Sequence, residues 1–226
     1  MTSRRRVILV PLLLFAAFVS GGCATTRSAY YNAWEKFGYA KRERLVDNVK
    51  AARQEQVEAK QQFASALDQF KSVVNFDGGN LEALYNKLNK EYQRCESQAG
   101  DVRSKITSVK NVAAALFDEW EGEVKQIKDD PSLQRKSKEL LDRTRSNYTE
   151  MVDRMDAAAA TMDPVLTKFK NRVLFIKANL NAAAIASLKG TELELGNDIE
   201  KLIREMETSI AEADAFIAEI QGKKSS

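Results

Sequence analysis

The sequence predicts an all-α protein: an elongated antiparallel helical bundle, or coiled coil, of three long helices plus a shorter C-terminal helix. Three observations carry this. Of 226 residues only 10 are Gly and 3 are Pro, so helix breakers are scarce. Good helix formers (Ala, Glu, Lys, Gln, Leu and Arg) dominate, and runs of β-branched residues are few. Apolar residues recur at alternating spacings of four and three over long stretches.

The cleanest stretch defines the second helix. Leu81, Tyr85, Leu88, Tyr92, Cys95, Ala99, Val102, Ile106, Val109, Ala113, Leu116, Trp120, Val124 and Ile127 form a sustained heptad seam with polar residues between. The first helix, from about Ser28 to Val74, opens on Tyr30, Trp34 and Phe37. It closes on Lys60, Phe63, Leu67, Phe70 and Val74. Its middle, Lys50 to Gln62, is polar and is expected to pack loosely or to face solvent. The third runs from Pro131 to about Leu188 through Leu141, Tyr148, Val152, Met155, Ala159, Met162, Leu166, Phe169, Val173, Ile176 and Leu180. The fourth uses Leu195, Ile199, Leu202, Met206, Ile210, Ala213, Ile217 and Ile220.

Local chemistry places the breaks. Asp77-Gly78-Gly79-Asn80 reads as a turn with Asn80 as N-cap. Asp130-Pro131 sets a cap before a proline at the first helical position. Asp163-Pro164 repeats that pattern, so the third helix is expected to kink or restart there. Gly190 is expected to end it, and Thr191-x-x-Glu194 to open the fourth helix as a capping box. At 1.5 Å per residue the first two helices are each about 70 Å long and the third about 80 Å. Short turns make neighbours antiparallel, and Ala157 to Ala160 allow a close helix approach.

Composition narrows the chemistry. The chain has 44% apolar residues, enough for a buried core, and no histidine. Nucleophile pairs of the Ser/His or Cys/His kind, histidine metal sites and histidine proton shuttles are therefore excluded. The 35 basic and 32 acidic side chains give a net charge of +3. Setting aside Arg4, Arg5 and Arg6 leaves 32 against 32, so no overall positive field for nucleic acid remains.

Those three arginines precede an unbroken apolar run, Val7 to Val19, then Ser20, Gly21, Gly22 and Cys23. The run is too short to span about 30 Å of hydrocarbon comfortably and suits a signal-peptide core. The pattern resembles a bacterial lipoprotein signal with its lipobox. The resemblance implies cleavage before Cys23 and acylation of its thiol and new amino terminus, a durable membrane anchor. Ala24 follows the cysteine where Asp would imply inner-membrane retention. In a Gram-negative host this implies the outer membrane, facing the periplasm. The expected organisation is a signal peptide at 1–22, a lipidated tether at 23–27, one helical domain at 28–221 and a disordered tail at 222–226.

Other candidate features have plain structural readings. Gly78-Gly79 lacks the Lys-Ser/Thr of a nucleotide P-loop and follows no strand. Asp118, Glu119, Glu121 and Glu123 radiate around a helix and read as a solvated face rather than a cation site. Cys95 fits the seam as a buried thiol, and Met151, Met155, Met162 and Met206 sit on core spacing. No catalytic, cofactor-binding or metal-binding residue is expected.

The aromatic cluster Tyr30, Tyr31, Trp34, Phe37 and Tyr39, followed by Lys41, Arg42 and Arg44, supports two readings. Aromatic and cationic side chains suit a membrane interface or a partner contact. Alternatively, Tyr30, Trp34 and Phe37 close one end of the bundle.

Tyr30-Tyr31-Asn32-Ala33-Trp34-Glu35-Lys36-Phe37-Gly38 with Lys41-Arg42, then Phe76-Asp77-Gly78-Gly79-Asn80-Leu81-Glu82, and later Leu180-Asn181-Ala182 to Leu188, resemble an uncharacterised bacterial family of unknown function. Its members are mostly predicted envelope lipoproteins, and some carry a "DNA repair" or "ATPase" label. The resemblance supplies no catalytic residues. The function expected is a non-enzymatic, lipid-anchored scaffold or adaptor of the cell envelope with a protein partner, and possible self-association. The alternative is a membrane-surface or lipid-interacting module. A third reading, nucleic-acid or ATP-linked repair, requires a cytoplasmic protein, and an ATPase needs a phosphate cradle.

Overall fold

The computed structural model describes residues 23–76 and 78–222, with side chains from residue 40 onward except that of Ala182. The chain divides into two units, residues 1–39 and 40–226. The described part of the first is helical from Cys23. The described residues form five helices: α1 (Cys23–Val74), α2 (Leu81–Gln126), α3 (Pro131–Ala178), α4 (Ala182–Ser187) and α5 (Glu192–Ile220), with a 3-10 turn at Lys189–Thr191 before α5. No strand occurs among the described residues.

Ladders of polar contacts fix the topology of the second unit. Glu55 meets Gln98 at 2.7 Å and Gln62 meets Glu91 at 2.6 Å, so α1 and α2 are antiparallel neighbours. Arg103–Asp163 at 2.9 Å and Lys110–Asp156 at 2.6 Å join α2 to α3. Lys168–Asp198 at 2.6 Å and Arg143–Glu219 at 3.1 Å join α3 to α5. Arg53–Asp214 at 2.7 Å and Lys60–Glu207 at 3.2 Å close the ring from α5 to α1. The result is an up-down-up-down four-helix bundle in which α2 and α3 are each about 70 Å long.

The heptad seam of α2 is buried from Leu88 to Val124, with Phe117 added. Aromatic rings link the seams. Phe169 of α3 meets Phe70 of α1 and Tyr92 of α2 edge-on, at centroid distances of 6.4 and 5.8 Å. Tyr148 does the same for Phe117 at 5.2 Å.

Two breaks form as the sequence predicts. The Asn80 side chain accepts from the Ala83 amide at 3.0 Å, and Gly78 and Gly79 take φ of +138° and +118°. Asp130 accepts from the amides of Ser132 and Leu133 at 3.0 and 2.9 Å.

Elsewhere the structure corrects the sequence reading. Helix α3 ends at Ala178, ten residues short of Leu188. Asn179 leaves helical geometry and its side chain bonds back to the Phe175 carbonyl at 3.1 Å. Asn181 then caps α4 by accepting from the Ala184 amide at 2.9 Å. Leu180 therefore sits in the connection, 45% exposed, and not on the seam. Gly190 falls in the 3-10 turn and does not end α3.

Helix α3 does not restart at Pro164, which lies inside it. Pro164 and Ala160, whose carbonyl loses its amide partner, both lie on the exposed face where water can replace the bond. Asp163 does not cap a new helix but binds Arg103. Thr191 and Glu194 form no capping box. The Thr191 hydroxyl donates to the Leu188 carbonyl at 2.9 Å, and Glu194 binds Lys168 and Arg172.

The middle of α1 is not loose. Ala52, Gln56 and Ala59 are fully buried, and they continue the four-three spacing to Phe63. In α5 the seam passes through Ser209 and Phe216, whereas Ile210 and Ile217 are only half-buried.

Candidate interaction site

The basic start of the bundle is the first place to look for function. Helix α1 carries Lys41, Arg42 and Arg44 alongside the C-terminal part of α2. Lys41 is half-buried and its ammonium binds the Glu119 carboxylate. The Arg42 guanidinium lies 4.7 Å from the centroid of the Trp120 ring, in cation–π geometry. Arg44 is exposed, and its carbonyl accepts from the Asn48 side chain at 2.8 Å. Two of the three cations are thus engaged by consecutive residues of α2. The side chains of Cys23, Tyr30, Tyr31, Trp34, Phe37 and Tyr39 lie outside the described residues, as do the expected signal segment 1–22 and the tail beyond Gly222.

The acidic stretch of α2 is divided among partners. Glu119 serves Lys41. Glu121 lies 3.0 Å from Lys125 and 3.4 Å from Arg145. The bond from Lys125, then that from Arg145, holds the Glu121 carboxyl below the usual carboxylate range. Asp118 is exposed and Glu123 half-buried. A cleft of about 330 Å³ opens beside Glu121, over Val124 and Leu141. Most of its rim charges are mutually paired, Lys138 binding Asp142 at 2.6 Å and Glu121 binding Lys125 and Arg145, while Arg135 donates to the Pro131 carbonyl at 3.4 Å. Among the described residues no group of three His, Cys, Asp or Glu stands close enough to hold a metal ion. No helix among them is long and apolar enough to cross a membrane.

A family model for proteins of unknown function, DUF2959, matches residues 30–220. The chain belongs to the DUF2959 family. No curated protein and no solved structure matches it. The DUF2959 match begins at Tyr30, the first residue of the aromatic cluster, and ends at the last residue of α5.

Cys95 of this DUF2959 chain is fully buried, and its thiol donates to the Gln62 carbonyl at 3.6 Å. Burial pushes the thiol up to about 12, so no thiolate is available at neutral pH. The sign for stability follows. A group whose folded value is raised stabilises the fold fully below its unfolded value, about 8.5 for a thiol. That contribution is lost as pH rises through the folded value. Between about pH 9 and 12 the unfolding free energy should fall by up to about 1.4 kcal/mol per pH unit on account of this thiol. Urea titrations of wild type and Cys95→Ala over that range should show a shallower alkaline decline in the variant. Equal slopes would mean that Cys95 is already solvated in the fold.

Gln56 and Ser209 are the residues the sequence reading missed. Both are fully buried, and they exchange two hydrogen bonds, Gln56 Nε2 to Ser209 Oγ at 3.0 Å and Ser209 Oγ to Gln56 Oε1 at 3.1 Å. The available signal was register, since Gln56 lies four after Ala52 and Ser209 three after Met206.

Proposed function

We propose that this DUF2959 protein is a non-enzymatic, lipid-anchored helical scaffold of the bacterial cell envelope that offers its helix faces to a protein partner. One observation carries the reading: Arg4-Arg5-Arg6, the apolar run to Val19 and Gly21-Gly22-Cys23 stand immediately before a helical domain. Only six residues separate Cys23 from Tyr30, where the family match begins. Acylation of Cys23 would hold the start of that domain at the membrane surface.

The bundle supports a binding role rather than chemistry. Its interior is filled by aliphatic, aromatic and methionine side chains, with the one Gln–Ser pair satisfied internally. Some of its charged residues pair in ladders between helices, and many others stand exposed on the outer faces, where a partner can meet them. The membrane-surface reading draws on the aromatic-basic start. The engagement of Lys41 with Glu119 and of Arg42 with Trp120 draws these two cations into contacts within the bundle and weighs against that reading. A DNA-repair or ATPase role finds no phosphate cradle in the Gly78-Gly79 turn.

Incorporation of radiolabelled palmitate tests the anchor. Wild type should take up label and Cys23→Ser should not. Label on neither would remove the lipoprotein basis of the proposal, and label on both would place the acyl group elsewhere. For the scaffold itself, in-cell cross-linking from the outer helix faces should yield defined envelope proteins.

A further inference from the structure

Helix α3 has a second seam. Its inner row packs into the core at Val152, Met155, Ala159, Met162, Leu166 and Phe169. A parallel row with the same four-three spacing runs through Ala157, Ala160, Pro164, Thr167, Asn171 and Leu174 and ends at Ala178. Every member is exposed and none is charged. On a 3.5-residue period the two rows lie about 150° apart, so the outer row points away from the bundle. Beside its end Leu174 and Phe175 are 49% and 40% exposed, two of the few large apolar side chains on the surface.

We propose that this outer face of α3 is a self-association surface on which a second copy of the chain docks antiparallel. The flanking charges commit to that occupant and direction. The residues one step before Ala157, Pro164, Asn171 and Ala178 are Asp156, Asp163, Lys170 and Lys177, acidic in the first half and basic in the second. A parallel copy would set Asp against Asp and Lys against Lys. An antiparallel copy related by a two-fold axis near residue 166 sets Asp163 beside Lys170 and Asp156 beside Lys177, and each pair occurs twice by symmetry. The same axis brings Leu174 over Ala157, where the small side chain leaves room, and Phe175 beside Arg154.

The carboxylates of Asp163 and Asp156 already bind Arg103 and Lys110 within the chain, yet remain 68% and 45% exposed, so each can accept from a second cation. The charges set direction; the apolar anchors and the close approach of the small row supply affinity. The inference stands independently of the lipid anchor.

The test uses the full chain in detergent micelles, with its mass followed by sedimentation. Wild type should be a dimer. Lys170→Glu/Lys177→Glu sets like charges opposite one another and should weaken the dimer by about tenfold or more. Leu174→Glu should do the same while leaving the thermal melt unchanged. Mixing Lys170→Glu/Lys177→Glu with Asp156→Lys/Asp163→Lys should restore a dimer of one chain of each kind. Carbodiimide cross-linking of mixed isotopically light and heavy chains should join Asp163 of one copy to Lys170 of the other. A wild type that stays monomeric at about 100 µM overturns the proposal. So does a dimer indifferent to Lys170→Glu/Lys177→Glu and to Leu174→Glu, or one captured by an envelope partner or a lipid surface through this face.

Discussion

Phe169→Ala is expected to lower the free energy of unfolding by about 3–5 kcal/mol. The ring is fully buried and stands where three helices meet, edge-on to Phe70 and Tyr92. Truncation removes the ring's transfer free energy and both edge contacts. It also leaves a cavity that the surrounding helices cannot easily close, because each is held to its neighbours by a ladder of polar contacts. Urea unfolding followed by circular dichroism measures it, with a melting temperature lower by roughly 10 °C for a domain of this size. A cost below about 1 kcal/mol would mean that the three helices do not converge on this ring.

The second large effect lies in the polar pair at the heart of the bundle. Ser209→Ala strands the Gln56 amide in the core and should cost about 1–3 kcal/mol. Gln56→Leu should also destabilise, since it leaves the Ser209 hydroxyl without its partner in the core. The combined Gln56→Leu/Ser209→Ala variant removes both polar groups and should be near neutral or more stable than wild type. A double-mutant cycle in urea separates these cases. If the combined variant is as unstable as the two single losses added together, the two side chains do not depend on one another, and the reciprocal bonds are not what holds them.

The legible parts of the fold were those written in heptads and caps. The seam from Leu88 to Val124, the Gly78-Gly79 turn and the caps at Asn80 and Asp130 all follow from spacing and local hydrogen bonding. Misreadings arose where tertiary context decides. A proline is a breaker only if its missing amide matters, and Pro164 faces water. Ile210 outranks Ser209 in hydrophobicity, but a buried serine is tolerable once Gln56 stands opposite, a fact that lies 153 positions away. Thr191 and Glu194 have the capping-box spacing, yet two cations on α3 claim the glutamate. Of the candidate interaction site, the basic residues were legible as a cluster. Their partners Glu119 and Trp120 were visible only as members of other patterns.

The ladder between α2 and α3 has a consequence for how such a domain can change in length. Moving seven positions forward on α2, from Arg103 to Lys110, moves the partner seven back on α3, from Asp163 to Asp156. Arg145 and Glu121 keep the same pairing further along. A single inserted residue within either helix would put every rung on one side of it out of step and rotate the seam by about 100°. Insertions or deletions of seven, made at matching heights in all four long helices, would leave every rung and every buried row aligned. Relatives of this chain should therefore differ in helix length by whole heptads, growing or shrinking like a ladder that gains or loses complete sections and never part of one.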